Sequence, residues 1–280
     1  MPEAFGARLE RAIEERGPVC AGVDPHARLL SAWGLPDTAQ GLAEFSKRAL
    51  EGLAGAAAIK PQSAFFERFG SAGIAVLEEL LAGARELGVL TVLDVKRGDI
   101  GSTMAGYADA YLPAGAPIEA DAITVAPYMG PAAFDATAEL AAKHGKGLFA
   151  LALTSNPEGA TLQRSIGEGQ TVAGRVVAWA GEKNREFVPE NKIGSFGVVI
   201  GATIPDRSEV LGEALTGFTG PILMPGFGAQ GGSVQASDAN LNILVSSSRA
   251  ILQAGPNPAN LRAALEATNL EIRRTLAEVS

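Results

Sequence analysis

Cysteine is nearly absent from this chain. The single one, Cys20, rules out an internal disulfide and a thiolate metal cluster. Its apolar setting, PVCAGV, is that of a buried small hydrophobe. Histidine is almost as scarce: His26 and His144 lie far apart and share no spaced motif with acids. No metal ligand set is therefore expected, and each reads as an ordinary loop or surface residue. Basic residues do not predominate either. The 23 Lys and Arg against 31 Asp and Glu leave a net charge of −8, which argues against nucleic acid or an anionic membrane as a partner. An anionic small molecule would need a local concentration of cations. No charged start followed by an apolar stretch opens the chain, and no apolar run reaches the ~18 residues of a membrane helix. The expected address is the cytoplasm.

What is present is a regular alternation. The 280 residues are 47% apolar and 19% charged, enough to bury a substantial core. Eight short apolar runs read as strands: PVCAGV (18–23), AAAIK (56–60), VLTVLDV (89–95), DAITVAP (121–127), GLFALALT (147–154), FGVVIGA (196–202), PILMPG (221–226) and NILVSSS (242–248). Between them lie helical spacings of three and four, clearest at Ile74, Leu77, Leu80, Leu81, Ala84 and Leu87. The last helix shows the same spacing at Leu261, Leu265, Ile272, Leu276 and Val279. Strands that are apolar throughout are buried on both faces and pair in parallel. Eight strand–helix units in one chain predict a (β/α)8 TIM barrel filling a single domain, residues 1–280. A doubly wound open sheet is the alternative, but the first turn, GVDPHAR, lacks its GxGxxG. The stretch 155–195 is long for one unit and predicts a mobile loop followed by a helix around VAGRVVAWAGEKNRE.

Barrel chemistry gathers at the C-terminal ends of the strands. Those ends carry Asp24, Lys60, the group Asp94, Lys96 and Asp99, then Ser155, then PGFGAQGG, then SSSRA. Side chains two apart on a strand share a face, so Asp94 and Lys96 are both expected in the barrel interior, with Lys60 about 5 Å away on the adjoining strand. Unpaired charge is costly there. Mutual pairing would keep these groups ionised. A buried ion network stabilises less well than apolar packing, so its presence in the mouth favours a functional role. PGFGAQGG and SSSRAIL follow the seventh and eighth strands, where barrels hold phosphate. Backbone amides freed by glycine, Gly228 among them, and a helix start at Ser248 would cradle an anion. Arg249 would add a bidentate cation and Gln230 a neutral donor.

These residues resemble a known family. DVKRGDIGST is similar to the DxKxxDIxxT signature of orotidine 5'-phosphate decarboxylases, in the KRGD form of their longer, type 2 branch. The resemblance runs from GVDP through AAAIKPQ, LTSNP and PGFGAQGG to SSSRAI. It implies a cofactor-free enzyme of pyrimidine biosynthesis and a homodimer. Lys60, Asp94, Lys96 and Asp99 would form its charged tetrad, with Asp99 and Thr103 contributed across the dimer interface. Lys96 would stabilise and then protonate the carbanion left at C6 of the pyrimidine. Asp94 would lie near the departing carboxylate. By the same resemblance, Asp24 and Thr103 would hold ribose hydroxyls, Ser155 the pyrimidine, and Gln230 and Arg249 the phosphate. Two other readings compete. One is a metal-dependent sugar-phosphate aldolase or decarboxylase on the same barrel, which would need acidic metal ligands. The other is a non-catalytic barrel that binds a phosphate ligand.

Overall fold

The computed structural model describes residues 2–188, 192–227, 232, 235, 238 and 240–279. Ten strands are present among them: β1 (Val19–Val23), β2 (Ala58–Pro61), β3 (Leu90–Arg97), β4 (Ala122–Val125), β5 (Gly147–Leu153), β6 (Ile166–Gly167), β7 (Gln170–Thr171), β8 (Phe196–Ile200), β9 (Pro221–Pro225) and β10 (Asn242–Ser247). Eight close a parallel barrel in the order β1-β2-β3-β4-β5-β8-β9-β10, with β10 returning to β1. The remaining two, β6 and β7, form a small antiparallel hairpin. All eight predicted strands are thus found, displaced at their ends by a residue or two. The long segment after β5 contains a short helix (Gly159–Gln163), the hairpin, and the predicted helix, which spans Val172–Phe187.

Strand alternation divides the apolar residues into two bodies. Outward residues such as Val19, Ala21, Leu93, Ile123, Val198 and Val245 pack under the helices. Inward residues fill the barrel: Cys20, Ala58, Leu90, Val92, Phe149, Val199, Leu223 and Leu244. The amphipathic helix Phe5–Arg16 lies across the far end and inserts Phe5 and Leu9 into this inner body. Phe5 meets Phe149 edge to face, ring centroids 6.0 Å apart. Gly147 leaves room for that contact, since a Cβ there would fall 2.5 Å from the Phe5 ring. Apolar packing therefore closes one end of the barrel, and inward positions nearer the other end are free to be polar. Cys20 is fully buried, and burial pushes its thiol up to about 12, so it serves as packing.

Candidate active site

The inward positions at the C-terminal ends of the strands surround a cavity of about 410 Å³, lined among others by Asp24, Lys60, Asp94, Lys96, Thr124 and Arg249. This is the size of a small-molecule site. Asp94 is its electrostatic centre. Its residue is 7% exposed, and both carboxylate oxygens are committed. Oδ2 accepts from Lys60 Nζ at 3.0 Å and Gln62 Nε2 at 3.0 Å, while Oδ1 accepts from Lys96 Nζ at 2.5 Å and Thr124 Oγ1 at 2.9 Å. Burial alone would raise the Asp94 pKa. The two ammonium groups and their hydrogen bonds overcome it and hold the carboxyl at about 2. Lys60 shows the mirror image: burial works against its charge, but Asp94 and then Asp24 outweigh burial and raise its pKa. Both groups are ionised at neutral pH.

Register explains how the residues meet. Val92 pairs with Ala122, two residues before Asp94 and Thr124 respectively, and Gln62 bridges directly to Asp94. Lys60 lies two residues before Gln62 on β2 and extends toward the mouth. The β3–β4 register then shifts between Leu93 and Arg97, with Lys96 at φ +45°. This corrects one expectation. Lys96 is a rim residue with its side chain 46% exposed, because the bulge carries it out of the alternation that would have buried it. The left-handed backbone costs ~1–3 kcal/mol for a residue with a Cβ. It persists because the Lys96 amide donates to Thr124 Oγ1 at 2.9 Å while its ammonium holds Asp94. Thr124 is thereby bonded to both charged partners.

Asp24, at the end of β1, faces the same cavity. Its Oδ1 is buried and accepts no hydrogen bond among the described residues, an unusual state for a carboxylate oxygen. Beside it, β1 approaches Ser248 so closely that only glycine fits at position 22: a Cβ there would lie 2.7 Å from Ser248 Cβ and 3.2 Å from Asp24 Oδ2. Ser248 and Arg249 line the cavity after β10, and Pro225, Gly226 and Phe227 line it after β9. Arg249 is exposed at the mouth and has no ion-pair partner among the described residues. Gly228 and Gln230 lie outside the described residues.

Three expected residues lie away from this cavity. Asp99 is on the loop beyond β3, where its Oδ1 accepts from the Ile100 amide at 2.8 Å. Thr103 is on the exposed face of the helix Gly101–Tyr111. Ser155 is exposed and lines a neighbouring depression with Asn156 and Thr203, whereas Thr154 lines the central cavity. The β5–β8 register shifts between Leu151 and Leu153, and this shift displaces the alternation at the end of β5. Gln62 and Thr124 were not anticipated, although each sits two residues beyond an inward position of its strand. His26 also lines the cavity; its Nδ1 accepts from the Leu29 amide at 3.2 Å and caps the helix Ala27–Ala32. Among the described residues, no three His, Cys, Asp or Glu side chains cluster so as to hold a metal ion. No helix among them is long and apolar enough to cross a membrane.

Comparison with known proteins adds an independent finding. A family model described as "Orotidine 5'-phosphate decarboxylase / HUMPS family" matches residues 17–264. A Streptomyces coelicolor protein named orotidine 5'-phosphate decarboxylase is 47% identical over 97% of this chain and 98% of its own. A namesake from a Nocardioides species is 49% identical over 96% and 98%. The crystal structure of a Streptomyces avermitilis protein is similar with a TM-score of 0.92 at 47% identity, covering 98% of this chain and 96% of that one.

Proposed function

This chain belongs to the orotidine 5'-phosphate decarboxylase / HUMPS family, and from that premise we propose that it converts orotidine 5'-phosphate to uridine 5'-phosphate and CO2 in de novo pyrimidine biosynthesis. One observation carries the reading: a buried carboxylate, Asp94, clamped between the ammonium groups of Lys60 and Lys96 at the open end of the barrel. Loss of CO2 from C6 leaves an electron pair in the ring plane, with no π system to delocalise it. A fixed ammonium at C6 stabilises that pair as it develops and then supplies the proton. Lys96 suits this role because it is at the rim, while Lys60, fully enclosed, holds Asp94 in place. Asp94 faces the carboxylate that leaves. Two unit charges about 4 Å apart interact by ~4 kcal/mol at an effective dielectric near 20, and departure of neutral CO2 relieves that repulsion.

The rest of the cavity accommodates the rest of the nucleotide. Asp24 Oδ1, buried without a donor, accepts from a ribose hydroxyl. Arg249 and Ser248 meet the phosphate, joined by Gly228 and Gln230. Ser155 reaches the pyrimidine when the segment after β5 folds over the mouth. Asp99 and Thr103 serve the site of a second subunit. Ile100, just after β3, and Tyr128 and Met129, just after β4, are 60%, 81% and 51% exposed, apolar side chains that a partner copy would cover. The reaction needs no cofactor, and the protein works in the cytoplasm. The decisive assay follows the loss of absorbance of orotidine 5'-phosphate with chelator-treated protein. Turnover is expected without added metal. Abolition by EDTA with recovery on adding Mg²⁺ would overturn the mechanism in favour of metal-dependent chemistry.

A further inference from the structure

Two cations stand side by side at the end of β3, Lys96 and Arg97, and Asp94 by itself does not choose between them. Arginine would fit a carboxylate better, through a two-pronged pair, but its guanidinium does not give up a proton. Strand alternation does not decide the matter either: β3 runs four residues, Leu93 to Arg97, where β4 runs two, Ile123 to Val125. At such a bulge a slip by one residue would exchange the two side chains. In the fold they part. Lys96 Nζ donates to Asp94 Oδ1, whereas Arg97 does not line the cavity. Its Nη2 donates to Glu67 Oε1 at 2.8 Å and its Nε to the Tyr111 hydroxyl at 3.1 Å, with the guanidinium 5.2 Å from the centroid of the Tyr107 ring. Glu67 is held in turn. The Ser63 hydroxyl donates to the same Oε1 at 2.6 Å, and the Ser63 amide donates to Asp94 O at 3.3 Å. The Ser63 hydroxyl, and after it Arg97, outweigh burial and lower the Glu67 pKa, so the acid is charged at neutral pH. On the backbone, Arg97 O accepts from the Ala126 amide at 2.8 Å, and a Cβ at Gly98 would fall 2.4 Å from Ala126 O.

An ion pair as open as this one, with the Arg97 side chain 28% and that of Glu67 39% exposed, contributes little to stability. Its effect is directional. We propose that Glu67 and Arg97 are positioning residues that sort the two adjacent cations: Glu67 draws the arginine away from Asp94, and Arg97 occupies the acid that would otherwise draw Lys96 outward. Lys96 can be drawn because its side chain is 46% exposed at the rim. Removing either partner leaves a lone charge that competes for Asp94 or for Lys96. Removing both leaves no competitor. The inference rests on the functional reading above, in which Lys96 supplies the proton at C6. An arginine in its place would stabilise the electron pair but could not protonate it, and a lysine displaced by an ångström loses on the order of 100-fold.

The test is a double-variant cycle read by steady-state kinetics on orotidine 5'-phosphate. Glu67→Gln keeps an acceptor for the Ser63 hydroxyl and removes the charge; Arg97→Met keeps the length of the stem. Each alone should lower kcat by roughly 10- to 100-fold, with KM changed by less than about threefold. Neither should move Tm appreciably, since the pair is open to solvent. The double variant should recover to within about fivefold of the wild-type kcat, a coupling opposite in sign to that of a brace. A double variant no better than the better single one would mean that the pair merely braces the strand end, and single variants with wild-type kcat would mean that it does nothing for the site; either result overturns the proposal. A crystal structure of Glu67→Gln reads the sorting directly and needs no second substitution to fold. The Arg97 guanidinium turned to Asp94 is the expected result, and an arginine left in place with Lys96 still on Asp94 overturns the proposal. A wild-type enzyme inactive on orotidine 5'-phosphate would instead refute the functional reading while the crystal structure still judges the sorting, so the two failures are distinguishable.

Discussion

Protonation of Asp94 should be visible as a loss of stability in acid. The carboxyl would titrate near 3.8 in the unfolded chain and does so at about 2 in the fold, where Lys60 and Lys96 overcome the effect of burial. That interval is equivalent to about 2.4 kcal/mol of folding free energy. Because the folded value is the lower one, the contribution is fully present above the unfolded pKa and is lost as pH falls through the folded value. About 1 kcal/mol of it should be gone by pH 3. Asp94→Asn removes this titration while leaving the other carboxylates in place, and in the wild type Lys60, whose pKa Asp94 raises, stays protonated throughout. Urea unfolding of both proteins, followed by circular dichroism between pH 6 and pH 3, isolates the difference. The wild type should lose about 1 kcal/mol more than the variant over that range, whatever their stabilities at pH 6. Equal losses would show that Asp94 is not held as a low-pKa carboxylate and would remove the electrostatic basis of the site.

Other outcomes follow from the same geometry. Thr124→Val removes the donor to Asp94 Oδ1 and the acceptor of the Lys96 amide; it should lower kcat by roughly 10- to 100-fold, the scale of a hydrogen bond to a charged group, with KM little changed, and an unaltered kcat in steady-state kinetics would reject Thr124 as the support of both. Arg249→Ala should cost about 2–4 kcal/mol in kcat/KM for orotidine 5'-phosphate and much less for orotidine, whereas equal costs would take the phosphate away from Arg249. Mixing inactive Lys96→Ala with inactive Asp99→Ala should restore about a quarter of wild-type activity once subunits exchange, since half the dimers are mixed and each has one intact site. A mixture shown by mass-tagged subunits to exchange, yet still inactive, would confine Asp99 to its own chain.

The barrel was legible because its strands are apolar on both faces, a signal that survives errors at strand ends. Asp24, Lys60 and Asp94 were legible because charge at the end of such a run stands out. Gln62 and Thr124 were not. Each is uncharged, and Thr124 lies within an ordinary strand sequence, AITV, so its place beside Asp94 follows only from the β3–β4 register. The rim position of Lys96, half-exposed while its ammonium still holds Asp94, depends on a bulge that no residue type announces, for lysine has no preference for positive φ. The exchange of Ser155 for Thr154 at the cavity wall has the same origin, a register shift at the end of β5. Alternation counted along one strand holds while the ladder is regular, and functional strand ends are where it ceases to be so.

The aromatic closure at the far end of the barrel has a bearing on traffic. With Phe5 and Leu9 packed with Phe149 in the inner body, the far end is closed, and among the described residues the chamber opens at the C-terminal ends of the strands. Substrate, nucleotide product and CO2 all pass through that opening, and the nucleotide fills it. On the proposed assignment the gas forms against Asp94, behind the bound nucleotide, so a small neutral molecule would have to slip past a large anion or wait for the anion to go. Retention of CO2 behind bound product would favour the reverse reaction. A neutral gas that escapes first makes the step irreversible in practice, and slow departure of the nucleotide then sets the pace without undoing the chemistry.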